Sequence, residues 1–210
     1  MMPRLLDLFC CAGGAAMGYH RAGFEVVGVD IRPQKHYPFE FHQADAMTYP
    51  LDGFDVIHAS PPCQGYSVTQ SINGGSDAPR LVEKVREMLA ETGKFYVIEN
   101  VPGAPLINYV LLCGSMFDGL RVYRHRLFEC SPQIIFPPAT CSHKYSMPAS
   151  KGEYHTLDAQ DFITCVGHNF RGSDGRKAMG INWMNRDELS QAIPPAYTEF
   201  IGRQLMEAMA

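Results

Sequence analysis

Residues 54–67 read FDVIHASPPCQGYS, an apolar run that breaks at two prolines and then offers a thiol. The run FDVIHAS has the length and apolar character of a buried strand. Pro61 and Pro62 end it and fix their own φ angles, so the backbone that presents Cys63 is stiff. Two readings of Cys63 are open at this point. Most cysteines are buried, inert side chains. A thiol at the carboxyl end of a strand, however, stands where open α/β sheets bind their ligands.

The sequence on either side repeats the strand pattern. RLLDLF (4–9), FEVVGVD (24–30), FEFHQAD (39–45) and KFYVIENV (94–101) all read as strands, and a short helix spans about 15–22. Leu81, Val82, Val85, Met88 and Leu89 form the apolar stripe of an amphipathic helix. Strands separated by helices predict right-handed crossovers and a mostly parallel sheet. After LRVYRHRLFEC (120–130) the regularity fails. Residues 130–160 are rich in Pro, Ser, Cys and His, and DFITCVG (161–167) offers one returning strand. The last stretch, PPAYTEFIGRQLMEAMA, starts on prolines and carries Tyr197, Phe200, Ile201, Leu205 and Met209 at helical spacing. No internal repeat is present. The predicted architecture is one α/β domain with a small irregular lobe inserted before the final helix.

The bulk properties fit a soluble globular chain. Of its 210 residues 46% are hydrophobic and 19% charged, and the formal net charge of −4 argues against a surface coated in positive charge while leaving room for a local basic groove. Seven cysteines in no regular framework predict free thiols and a reducing, cytosolic setting. The N-terminal MMPRLLDLFCCAGGAAMG has the outline of a secretion signal, but Asp7 interrupts the apolar run and a second strand follows directly. No stretch approaches the ~18 apolar residues of a membrane helix.

Three strand ends carry acids. DLFCCAGGAAMG (7–18) joins a strand to a helix through glycines, which let a ligand approach the backbone at a helix N-terminus, although it is not a G-x-G-x-x-G site. Asp30 closes the next strand, the position from which an acid binds ribose hydroxyls, and Asp45 could face an adenine edge in the same crevice. A nucleoside-containing cofactor is the expected ligand. Glu99 and Asn100 end the strand beside that of Cys63; taken alone, Glu99 reads equally as a surface acid. Thiol plus acid over such a cofactor suggests one chemistry. A thiolate adding to C6 of a pyrimidine, assisted by an acid at N3, makes C5 a carbon nucleophile toward a sulfonium methyl.

With those residues in view the chain resembles the DNA (cytosine-5) methyltransferase family, in motif order from end to end. DLFCCAGG resembles its cofactor loop, VGVD its ribose-binding strand end, PPCQGYS its nucleophile loop, ENV its acid motif, RHR (124–126) its paired arginines, and MNRDELSQAIPPAYTEFIGRQL its closing motifs. The resemblance implies a Rossmann-like class I methyltransferase fold. It also implies S-adenosylmethionine held by Asp7, Phe9, Cys10, Gly13, Gly14, Asp30, Ile31, Asp45 and Pro61, with Phe9 on the adenine. Cys63 is implied as the nucleophile, Glu99 as the acid at N3, and Arg124 and Arg126 as holding the cytosine and its phosphate. Gln64, Ser67 and Asn100 are implied on the substrate side, in a loop that closes on DNA over an extruded base. The organisation implied is a catalytic domain over 1–128, a reduced target-recognition lobe over 129–182 and a returning helical segment over 183–210.

The chain departs from the pattern in three places. Cys11 stands where the family has glycine, Gln191-Ala192 where it has Gly-Asn, and the target-recognition region is short. Within that lobe Cys130, Cys141, His143, His155, Cys165 and His168 are zinc-ligand types, but their spacing matches no standard finger, and scattered side chains without metal are expected. HNFRGSDGRKAMG (168–180) reads as a flexible loop whose Arg171, Arg176 and Lys177 either contact phosphate, the favoured reading, or are simply solvated. The expected activity is methylation of cytosine C5 in DNA in the cytoplasm of a bacterial or phage-infected cell. The same chemistry on RNA or a free cytosine nucleotide, and a non-catalytic DNA-binding role, are the alternatives. A separate recognition subunit or a homo-oligomer would compensate for the short lobe.

Overall fold

The apolar runs become the centre of a seven-stranded sheet because they are covered on both faces. The strands are β1 (Arg4–Leu8), β2 (Glu25–Asp30), β3 (Glu40–Gln43), β4 (Val56–Ala59), β5 (Phe95–Asn100), β6 (Val110–Leu112) and β7 (Arg126–Ser131), ordered β3-β2-β1-β4-β5-β7-β6. β1 to β5 pair in parallel, and β7 runs antiparallel between β5 and β6. The structure is a computed structural model and describes residues 2–66, 79–144, 161–167 and 169–210.

Side-chain alternation divides the core. Leu5, Val26, Val56 and Val97 face a layer made by α1 (Gly14–Ala22) and α5 (Pro195–Met209), where Tyr19, Tyr197, Ile201 and Leu205 are fully buried. Leu6, Leu8, Val27, Ile57 and Ile98 face the other way, against Val82, Val85 and Leu89 of α2 (Val82–Ala90). Strands buried on both faces have no polar side to show, which is why the sequence reads as near-continuous apolar runs. Gly18 lets α1 and α5 meet, since a Cβ there would collide with the Thr198 hydroxyl and the Pro195 carbonyl. Thr198 Oγ1 donates to the Ala15 carbonyl at 2.8 Å across the same seam.

Four expectations change. β7 belongs to the main sheet and crosses the boundary drawn at 128, because it fills the slot between β5 and β6. Among the described residues, 161–167 form one parallel bridge, Ile163 with Val122, and no named strand. The stretch read as a flexible loop holds α3 (Gly172–Met179). Two glycines hid that helix, but Gly175 is a packing choice, since a Cβ would strike the Phe170 ring. A second unforeseen helix, α4 (Arg186–Gln191), opens on a capping box in which Glu188 N donates to Asn185 Oδ1 at 3.0 Å and Asn185 N to Glu188 Oε2 at 2.8 Å. The described cysteines are all free thiols. Among the described residues no helix is long and apolar enough to cross a membrane.

Candidate active site

The β1–α1 turn is wound tightly over the end of the sheet. Phe9, Cys11 and Gly13 have φ of 58°, 45° and 80°, the left-handed region that costs a side-chain-bearing residue about 1–2 kcal/mol. Cys11 therefore sits in a conformation that glycine adopts without that cost, at a position where the resemblance expects glycine. The strain is held from several sides. Cys10 N donates to Val29 O at 3.1 Å, Cys11 N to Asp30 Oδ2 at 3.0 Å, and Trp183 Nε1 to Ala12 O at 2.9 Å. Arg32 N donates to the other Asp30 oxygen at 2.9 Å, so both backbone turns beside the cleft close on one carboxylate. Ile31, 66% exposed, presents an apolar face next to it.

The neighbouring strand ends carry the thiol and the acid. β4 and β5 pair from Val56–Phe95 to Ala59–Ile98, which brings Glu99 and the Ser60–Cys63 turn to one end of the sheet. Asn100 Nδ2 donates to the Pro61 carbonyl at 2.9 Å and fixes that turn from beneath. Tyr66 N closes a turn on the Cys63 carbonyl at 3.0 Å, and Arg80 Nε donates to Gly65 O at 3.2 Å. Glu99 is buried, and Arg126 Nε lies 2.8 Å from its Oε1. Burial raises the Glu99 pKa; Arg126, the Ser60 hydroxyl and Arg124 oppose it. Burial also raises the Cys63 thiol, with Arg126 the largest opposing influence and Glu99 adding to the rise.

A polar chain lies behind the acid. Tyr19 Oη is 2.9 Å from His58 Nδ1, and His58 Nε2 is 2.9 Å from Ser60 Oγ. His58 is fully buried, and burial lowers its pKa to about 3, so the ring is neutral. The neutral ring carries one N–H, so it donates to one of these two hydroxyls and accepts from the other. The strand pattern hides this chain, because a histidine within an apolar run reads as core.

These elements border one cleft of about 660 Å³. Asp7, Phe9, Cys10, Gly14, Asp30 and Ile31 line one part of it, and Pro61, Cys63, Gln64, Glu99 and Arg126 another. Asp7 is fully buried at its floor, and burial, then the charge of Asp30, pushes its carboxyl well above the usual range. The third wall comes from Asn185, Glu188, Gln191 and Ile193, residues that the sequence grouped among closing motifs without individual roles.

Four of the expected residues do not reach the cleft wall. Gly13 shapes the turn against Tyr37 and Pro38. Asp45 is exposed and spends Oδ1 on the Met47 N–H at 2.9 Å. Asn100 is 1% exposed, with its amide committed to Pro61 O and Val101 N. Arg124 is buried behind the cleft, where Nη1 and Nη2 each donate at 2.7 Å, to the carbonyls of Cys165 and Ser190. Ser67 lies outside the described residues.

The donor set fits the expected cofactor: a carboxylate anchored at a strand end, an exposed aliphatic face beside it, and a backbone turn opening a helix. Comparisons with known proteins agree with that geometry. The family model described as C-5 cytosine-specific DNA methylase matches residues 3–106. Type II methyltransferase M1.HphI of Haemophilus parahaemolyticus is 36% identical over 119 residues, 46% of this chain and 32% of the relative. Type II methyltransferase M.AquIA of Picosynechococcus is 28% identical over 185 residues, 77% of this chain and 67% of the relative. The chain thus spans about a third of the first relative's length and two thirds of the second's. A prophage-encoded E. coli protein assigned as a DNA modification methyltransferase shares the fold, with a TM-score of 0.72 at 14% identity over 99% of both chains. The span that the family model matches runs from β1 through β5 and contains the anchored turn, the thiol and the acid, and on that ground residues 3–106 belong to the C-5 cytosine-specific DNA methylase family.

Proposed function

We propose that the chain transfers a methyl group from S-adenosylmethionine to C5 of cytosine in DNA, through a covalent bond between Cys63 Sγ and C6 of a base turned out of the duplex. The observation that carries the reading is the placing of Cys63, Glu99 and Arg126 on one cleft with the Asp30-anchored turn. Asp30, Phe9 and Ile31 hold the cofactor, whose contribution is an electrophilic methyl on a sulfonium sulfur. Cys63, as thiolate, adds to C6, and the displaced π electrons move toward N3. Glu99, its pKa raised by burial, gives N3 a proton, so the adduct is a neutral enamine with a nucleophilic C5. Once C5 carries the methyl group, loss of its proton to solvent expels the Cys63 thiolate, and N3 returns the proton to Glu99. Arg126 keeps charge balance at both groups: it pairs with the carboxylate after proton donation and favours the thiolate before attack.

Base extrusion follows from the same geometry, since C6 and the ring faces of a stacked cytosine are closed to a thiol on a cleft wall. Arg124 acts one step back, tying the arginine segment to the carbonyls of Cys165 and Ser190. The test offers labelled S-adenosylmethionine with duplex DNA, single-stranded DNA, transfer RNA and free cytosine nucleotides to the wild type and to Cys63→Ser. Label in 5-methyldeoxycytidine from duplex DNA, absent with Cys63→Ser, is the expected result. Label only in RNA or nucleotide would keep the chemistry and overturn the substrate. Bound cofactor without label on any substrate would leave a binding role, or an enzyme that needs a recognition subunit or second copy.

A further inference from the structure

We propose that Cys113, His125, Cys141 and His143 bind one zinc ion in a structural site that fastens the small lobe to the arginine segment. The four ligand atoms lie within 4.8 Å of one another. Cys113 Sγ is 3.5 Å from His143 Nε2, Cys141 Sγ 3.4 Å from the same nitrogen, and His125 Nε2 3.3 Å from Cys141 Sγ. A tetrahedral ion with Zn–S of about 2.3 Å and Zn–N of about 2.0–2.1 Å sets its sulfur and nitrogen ligands about 3.6 Å apart. The three distances are those edges of such a tetrahedron, to within a few tenths of an ångström. Pairwise S–H···N bonds explain any one contact, but the Cys141 thiol has one proton and two imidazole neighbours.

The surroundings are those of a closed, structural site. Two thiols and two imidazoles complete four-coordination, with no position left for water, and this donor set selects zinc over hard cations. Cys113 is fully buried, Tyr123 packs on the His143 ring at 4.1 Å between centroids, and Phe162 stacks on Tyr123 at 4.6 Å. Ser115 supplies an outer hydroxyl, with Oγ 3.6 Å from Cys141 Sγ while accepting from Ser142 N at 3.2 Å.

The sequence missed the set because its ligands come from three separated segments. Cys113 follows β6, His125 precedes β7, and only Cys141 and His143 belong to the lobe where ligands were sought. Of the other candidates, Cys130 lies in β7 and Cys165 is buried in the cluster around Phe170 and Met179, whereas His155 and His168 fall outside the described residues. His125 stands between Arg124 and Arg126, and Arg126 Nη1 donates to its carbonyl at 2.8 Å. An ion there fixes the backbone from which both arginines leave. The inference does not depend on the reaction proposed above.

The test is metal analysis of the wild type expressed with zinc and passed through gel filtration in metal-free buffer. The expected result is one zinc per chain, with a tetrahedral, thiolate-ligated spectrum after cobalt exchange. His143→Ala and Cys141→Ser should lose the ion, while Cys130→Ser should keep it. Wild-type protein that stays zinc-free even after reconstitution, or that carries a Cys113–Cys141 disulfide instead, would overturn the site. So would full zinc retention in both ligand variants. If those variants fail to fold, wild-type stoichiometry and the cobalt spectrum still decide.

Discussion

Replacing Asn100 by alanine separates two accounts of the same motif. By resemblance Asn100 belongs to the substrate side, yet its side chain is buried beneath the Ser60–Cys63 turn. Alanine removes the 2.9 Å bond to the Pro61 carbonyl, and Pro61 is itself buried. An orphaned buried carbonyl costs about 1–3 kcal/mol, and the lost bond to Val101 N adds about 0.5–1.5 kcal/mol. The sum, about 1.5–4.5 kcal/mol, corresponds in a chain of this size to a fall in Tm of about 3–18 °C. The functional effect runs through Cys63, two residues along from the released carbonyl. A reacting atom misplaced by about 1 Å costs on the order of a hundredfold in rate. Asn100→Ala should therefore lose kcat about 10–100-fold, with KM for DNA held within about threefold. Thermal unfolding and steady-state methylation of the same preparation give both numbers. An unchanged Tm together with a raised KM would refute the strut and return Asn100 to the substrate.

Asp30→Ala should weaken S-adenosylmethionine binding about 10–100-fold by calorimetry, since it removes charge-assisted bonds that also shape the turn; unchanged affinity would remove Asp30 from the site. His58 sets an acid limit on stability. Its pKa is about 3 when folded against about 6.5 when unfolded, so its contribution is complete above pH 6.5 and lost as pH falls. Between pH 6.5 and 5 that loss is about 2 kcal/mol by urea unfolding, and His58→Gln should abolish it. Asp7, with its raised pKa, acts in the opposite direction in both proteins, so the difference between them isolates the imidazole. Equal pH slopes would contradict the buried neutral ring. Cys11→Gly should raise Tm by a few degrees, because about 1–2 kcal/mol of left-handed strain is relieved against about 0.5–1 kcal/mol of added chain entropy; a lower Tm would show that the turn needs the thiol.

The parallel half of the fold was legible because its physics is local. β1, β2, β4 and β5 are apolar runs with acids, glycines or prolines at their ends, and each end faces the cleft. The second half was legible only at α5. β6 has three residues, α3 contains two glycines and α4 is six residues long, so none carries enough periodicity to stand out from loop. Their positions are decided by tertiary packing: β7 by the slot beside β5, and α3 by Phe170 and Leu189 closing over Gly175.

A motif marks a position in the chain, and the role of each residue in it depends on where the strand begins. Arg124 and Arg126 are two apart, the spacing that would point both to one face of a strand. β7 starts at Arg126, however, so only Arg126 follows that alternation and lines the cleft beside Glu99. Arg124 precedes the strand. Its side chain turns back to bind two carbonyls, and its own carbonyl accepts from Tyr197 Oη at 2.8 Å. His125 between them faces the Cys141 and His143 cluster. Three consecutive residues thus meet three environments: a brace to α4 and α5, a candidate metal ligand and a cation on the cleft wall. A substitution at each should fail differently, and that contrast tests the division. Arg126→Ala should abolish transfer with a smaller loss of stability, because Glu99 can take up a proton once its partner is gone. Arg124→Ala should lose stability first, by about 2–6 kcal/mol for the two orphaned carbonyls. Loss of turnover in Arg124→Ala at an unchanged Tm would put that arginine back on the substrate.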